Sequence, residues 1–241
     1  MRLSVVVPCF NEADNIAHVV SQATEVGRAI CSALEVIVVN DGSTDRTREV
    51  LEVLQEDVPE LVAVHHDCNR GYGAAVRTGL DRAHHDYVFL TDGDGQFDLR
   101  ELRQAVHLLQ EHDMVVGYRS SRRDGYLRSL WGRIWTALVN VLLGLRVRDA
   151  NCAFKLLPRR LLRAAPLSSD GALISAELLF QARKSRLRIA QWPVSHYPRR
   201  AGRQSGASLR VVVLACAELC AFVTRRRSAR LQADEPGAPV G

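Results

Sequence analysis

Two carboxylates one residue apart, Asp92 and Asp94, close an apolar run, Tyr87-Val88-Phe89-Leu90. The run has the length and composition of a buried strand. In extended backbone, residues i and i+2 point to the same side, so the two acids can converge on one point. Left alone they would repel, and each would tend to hold a proton. A divalent cation resolves that conflict. Mg²⁺ or Mn²⁺ takes one or two protein carboxylates, keeps waters, and completes its shell with substrate phosphate oxygens. Gln96, two residues further on, offers a neutral oxygen. By itself Asp-Gly-Asp reads as an acidic turn. A calcium loop is rejected, because Phe97 stands where that loop needs glycine and Arg103 where it needs the closing glutamate.

The elements that must hold this pair alternate. Leu3 to Val7 is β-branched and apolar until Pro8 stops the ladder, and a helix follows to about Ala29. Val36 to Val39 is a second strand, ending in Asn40-Asp41-Gly42, before a helix through Gln55. Leu61 to His65 is a third strand, with a helix from Ala74 to Ala83. The acidic strand is fourth. Leu99 to Glu111 reads as helix, and Met114 to Val116 as a fifth strand ending at Gly117-Tyr118-Arg119. Strand and helix in turn predict an α/β chain, a mostly parallel twisted sheet covered on both faces. Ligands of such sheets bind outside the carboxyl ends of the strands. Pro8, Asp41, the acidic pair and Arg119 all fall at those ends.

The second half changes character. Leu127 to Leu143 is a helix with a large apolar face, Asp149 to Lys155 a loop entering a short strand, and Ser175 to Lys184 another helix. Leu187 to Val194 alternates as an edge strand does. Ser195 to Ser205 is basic and irregular, and Leu209 to Val223 strongly apolar. The expected organisation is one domain over 1–206, divided into halves over 1–120 and 121–206. An apolar and basic helix over 207–227 and a disordered tail over 228–241 complete it.

The chain has 241 residues, a net charge of +5 and a hydrophobic fraction of 47%, enough for a real core. Its basic residues are nearly all arginine, whose planar fork suits phosphate and carboxylate. The six cysteines form no CxxC pair and no zinc spacing, and read as reduced, buried side chains of a cytoplasmic protein. No signal peptide is evident, and no apolar run approaches the roughly 20 residues of a spanning helix.

These residues carry a resemblance. Leu3 to Glu12 resembles the opening strand of the family 2 glycosyltransferases, Val36 to Asp45 their second-strand signature, Asn69 to Ala75 their third, and Thr91 to Gln96 their metal-binding segment. More loosely, Asp149 to Lys155 and Arg199 to Ser205 resemble the polyprenyl-phosphate (dolichol-phosphate) mannose synthase branch. The resemblance implies a GT-A fold and transfer of a hexose, with inversion, from a nucleotide-diphosphate-sugar. A GDP-mannose or UDP-glucose type of donor fits it. The resemblance assigns nucleotide-sugar binding to the half over 1–120 and the acceptor side to the half over 121–206. It implies a nucleotide pocket of Pro8, Phe10, Glu12, Asp41, Gly71, Asp92 and Gly93, and a metal, Mg²⁺ or Mn²⁺, on Asp92, Asp94 and Gln96.

Departure of a nucleoside diphosphate builds negative charge, which a metal and arginines stabilise. Arg119, Arg128 and Arg200 are the candidates, with Lys155 beside them. A polyprenyl phosphate acceptor is already an anionic nucleophile. A hydroxyl acceptor, on a small molecule or glycan, needs a carboxylate base, and Asp149 is the first choice. Simpler readings stand beside these. Asp41 could cap the next helix, Asp149 could form a turn, and Arg128 and Lys155 could serve a solvated face or an ion pair. His196 reads as structural, and Glu177 as the partner of an arginine. The apolar segment from Leu209, flanked by arginines, suits either core packing or peripheral contact with the inner face of a membrane. Nucleic acid is not an expected partner, since aromatics are few and acids cluster at the strand ends.

Overall fold

The computed structural model describes residues 1–122, 126–164, 167–199, 201 and 209–234. Seven strands form one sheet: β1 (Arg2–Cys9), β2 (Ala33–Asn40), β3 (Leu61–His65), β4 (Tyr87–Leu90), β5 (Met114–Arg122), β6 (Lys155–Pro158) and β7 (Ile189–His196). Their order is β3-β2-β1-β4-β6-β5-β7. Every pairing is parallel except those of β6, which runs antiparallel to both β4 and β5. The carboxyl ends of β1, β2, β4 and β5 therefore share one edge, as the alternating pattern predicts.

Side-chain alternation along the strands divides the core. Val6, Ile37 and Val39 face a layer built from α3 (Tyr72–Arg82), α5 (Tyr126–Leu143), α7 (Ile174–Lys184) and α8 (Leu209–Asp234), with α6 (Arg159–Ala164) at its margin. Val5, Val7, Val36 and Val38 face α1 (Ile16–Ile30), α2 (Thr47–Asp57) and the 99–110 region. That region is not one helix. The short α4 (Leu102–Ala105) sits between tighter 3₁₀ turns at Leu99–Glu101 and Val106–Gln110.

Other boundaries also moved. β5 continues to Arg122, past its expected end at Arg119, because β7 pairs with it that far across an irregularity between Arg119 and Ser121. The expected helix end at residue 227 is passed as well, since α8 runs to Asp234. Ser228 to Ala233 contains neither glycine nor proline, and the first breaker is Pro236. Among the described residues no helix is long and apolar enough to cross a membrane.

Candidate active site

The loops after β1 and β2 are knitted together. Thr44 N donates to Asn11 Oδ1 at 2.8 Å, and Asn11 N to Ser43 Oγ at 2.9 Å. The loop after β4 lies against them because Gly93 has no side chain: a Cβ there would stand 2.9 Å from Cys9 Cβ and 3.2 Å from Pro8 O. These loops border a cavity of about 720 Å³. Its wall contains Pro8, Phe10, Glu12, Asp41 and Gly71, together with Asp92, Gly93, Asp94 and Gln96. The structure thus brings every residue expected to contact nucleotide or metal into one concavity.

Asp92 and Asp94 are close enough to oppose each other's ionisation. Burial, then the neighbouring Asp94 charge, pushes Asp92 up to about 7, although Tyr72 Oη donates to its Oδ1 at 3.0 Å. Gln96 Nε2 donates to Tyr197 O at 2.8 Å, which leaves the amide oxygen as its remaining acceptor. Two carboxylates and an amide oxygen make an all-oxygen donor set suited to a hard divalent cation that also binds phosphate. Among the described residues no group of three or more His, Cys, Asp or Glu is arranged for a metal, so substrate and water would have to complete the shell.

Asp41 turns inward. Its carboxylate accepts from Arg70 N and Gly71 N, each at 2.9 Å, and faces His66 Nδ1 at 2.7 Å. Instead of capping α2, it fixes the turn at Gly71, whose φ of 100° favours glycine. Glu12 is held by Asn15 Nδ2 at 2.7 Å and by Arg199, and its burial still raises its pKa.

Of the residues expected to do catalysis, Arg119, Asp149 and Lys155 are described; they lie outside the cavity wall, although the charges of Lys155 and Arg119 act on Asp92. Arg119 and Asp149 form a two-pronged ion pair, Nε to Oδ2 at 2.7 Å and Nη2 to Oδ1 at 3.0 Å, with Asp149 buried. Neither borders the cavity. The Lys155 side chain is fully buried, and Nζ donates to the carbonyls of Ala150 and Cys152 and to Ser175 Oγ. Burial lowers its pKa. It staples the loop that carries Asp149 and does not reach the cavity. Arg200 and the side chain of Arg128 lie outside the described residues.

Several wall residues escaped the sequence reading. Arg199 borders the cavity. Tyr72 stands between two glycines, and its buried hydroxyl resists ionisation beside Asp92. Leu214, Ala215 and Glu218 of α8 also line the wall. Glu218 accepts from Gly171 N at 2.8 Å and Leu173 N at 3.3 Å, tying α8 to the start of α7. Among the described residues Glu177 holds no arginine; it accepts from Ser168 N and Ser169 N, each at 2.9 Å. His196 is structural, packed edge-on to Phe97 at 5.2 Å between centroids.

Comparisons with known proteins give the family and the fold. Residues 4–168 match the family model described as "Glycosyl transferase family 2". The undecaprenyl-phosphate 4-deoxy-4-formamido-L-arabinose transferases of Yersinia pestis and Yersinia pseudotuberculosis are 26% identical over 165 residues, 68% of this chain and 50% of theirs. The match thus spans about half the length of these curated relatives. Among solved structures, glucosyl-3-phosphoglycerate synthase from Mycobacterium tuberculosis with UDP superposes with a TM-score of 0.69, at 22% identity, over 93% of this chain and 79% of that one. The same enzyme with Mn²⁺, UDP and glucosyl-3-phosphoglycerate gives 0.67, at 23% identity, over 91% and 80%. The sheet order and the helices on both faces are those of a GT-A fold. A family match over more than half the sequence, on a GT-A scaffold whose strand ends carry the matched motifs, makes this chain a member of the family 2 glycosyltransferases.

Proposed function

We propose that the chain is an inverting, metal-dependent transferase that moves a hexose of mannose or glucose type from a nucleotide-diphosphate-sugar to a polyprenyl phosphate. The observation that carries this reading is the acidic pair at the tip of β4, turned into a cavity that the nucleotide motifs also line. Bound there by Asp92, Asp94 and Gln96, Mg²⁺ or Mn²⁺ would supply the positive charge that offsets a departing diphosphate. Arg199 adds a guanidinium to the same wall, oriented by Glu12.

Beside the acidic pair, the described carboxylates of the wall are engaged: Asp41 by backbone N–H groups, Glu12 by Arg199, Asp170 by Arg77 and Glu218 by the start of α7, while Asp149, off the wall, pairs with Arg119. None can serve as a base without giving up that partner. A phosphate acceptor arrives already anionic and needs none. The relatives named above as undecaprenyl-phosphate transferases support the same class of acceptor. A polyprenyl acceptor also places the enzyme at the inner face of a membrane.

Incubation with Mg²⁺ or Mn²⁺, GDP-mannose or UDP-glucose, and either polyprenyl phosphate or soluble hydroxyl acceptors tests this. Sugar is expected in the butanol-extractable lipid. Transfer confined to soluble hydroxyl acceptors would refute the lipid reading and leave the transferase. A second expectation concerns protons. With Asp92 near 7, Mn²⁺ binding at pH 7 releases roughly half a proton per ion, and almost none at pH 9. Calorimetry in two buffers of different ionisation enthalpy measures it; a proton count that does not change with pH would remove Asp92 from the site.

A further inference from the structure

Five of the eleven large hydrophobic side chains exposed among the described residues sit on one helix, α5. Trp131, Ile134, Leu138, Val141 and Leu142 recur at helical spacing along one stripe; Trp131 is 55% and Val141 80% exposed. The neighbouring stripe of the same helix, Trp135, Val139 and Leu143, packs into the core. Half of the apolar surface of α5 is therefore left uncovered.

Its surroundings indicate what covers it. Arg122, Arg123 and Arg128 precede the stripe in sequence. Arg133 is exposed within the helix, and Arg146 and Arg148 are exposed just beyond it. A single apolar stripe with a tryptophan and basic flanks is the pattern of a helix lying in the plane of an anionic bilayer. The stripe is about 17 Å long. It presents a few hundred Å², short of the ~800 Å² per partner of a stable protein interface. Pairing with a second copy would also bring like-charged flanks together.

The stripe is tied to the site. Trp135 Nε1 donates to Asn151 Oδ1 at 2.9 Å, and Ala150 N to Thr136 Oγ1 at 3.3 Å, which docks the middle of α5 on the loop that holds Arg119 through Asp149. On α8, Val213 and Leu214 are also exposed, and Leu214 borders the cavity.

We propose that the exposed stripe of α5, Trp131 to Leu142, is the surface by which this enzyme seats on an anionic membrane, presenting its cavity to an acceptor held in the lipid. The inference rests on the polyprenyl-phosphate reading for its purpose, but not for its test. The full chain is mixed with vesicles of phosphatidylcholine, with and without phosphatidylglycerol, and sedimented. Binding is expected with the anionic vesicles, and V141D and I134D each weaken it by about tenfold or more. Brominated acyl chains should quench tryptophan emission in the parent and much less in W131F.

Transfer to a short, water-soluble prenyl phosphate separates the two claims. It should be unchanged in V141D, while transfer to long-chain acceptor in vesicles falls. Activity on the short acceptor without any vesicle binding would overturn the docking surface and spare the acceptor class. Absence of transfer to any prenyl phosphate would refute the acceptor class, and the vesicle and quenching results would still decide the surface. Vesicle binding that V141D and I134D leave intact, or a dimer that they dissociate, would also overturn it.

Discussion

Asp94→Asn should lower sugar transfer by about 10³-fold, a loss of roughly 4 kcal/mol of transition-state stabilisation, without harming the metal-free fold. Asparagine keeps an oxygen to accept from Gln96 N, which bonds Asp94 Oδ1 at 3.1 Å, so the turn survives. What disappears is one of the two charges that a cation would join. The metal-free protein should respond in the opposite sense. Asp92 is raised by burial and by Asp94, so the folded state binds its proton more tightly than the unfolded chain does. That contribution to stability is complete below the ordinary carboxylate range and is lost as pH rises through about 7. Removing Asp94 lowers the Asp92 pKa and flattens the loss. Thermal melts of parent and variant from pH 5 to 8, with and without Mn²⁺, report both effects. Full turnover in Asp94→Asn would end the metal assignment.

Asp149→Ala should cost about 3–5 kcal/mol of stability, because it removes the two-pronged carboxylate partner of a largely buried guanidinium. Side-chain exposures of 13% for Arg119 and 3% for Asp149 place the pair away from solvent screening. The double variant Arg119→Met, Asp149→Leu should recover most of that stability, since neither charge is then left alone. Activity separates the two roles open to Asp149. If it positions Arg119, Asp149→Asn slows transfer to phosphate and hydroxyl acceptors alike. A general base would instead show a loss confined to hydroxyl acceptors, with the basic limb of the pH profile removed. Urea melts and acceptor-resolved rates measure both.

The first half of the fold was legible because its signals are local. Strands such as Leu3 to Val7 and Leu61 to His65 are continuous apolar runs, and each ends in turn residues whose place at the sheet edge follows from parallel pairing. The cavity wall from Pro8 to Gln96 was legible for the same reason. What escaped depends on contacts between distant residues. Nothing near Lys155 announces that its ammonium points inward at the carbonyls of its own loop. Likewise, whether Asp41 faces a ligand or the N–H groups of Arg70 and Gly71 depends on where the loop after β3 returns. Arg199 escaped because in an irregular stretch no periodicity says which way a given arginine turns. Glu218 joins the wall only because α8 folds back on residues 171–173.

The place of β6 has a consequence for assembly during synthesis. β5 touches no earlier strand, so it cannot join the sheet until Lys155–Pro158 has emerged and wedged between it and β4. Until then β4 has a bare edge, and the acidic turn at its tip hangs from a strand paired on one side only. A nascent chain halted near residue 120 would already hold every nucleotide motif and yet lack the neighbour that steadies the acidic turn. The geometry of the acidic turn is therefore completed only after the second half of the chain has been made.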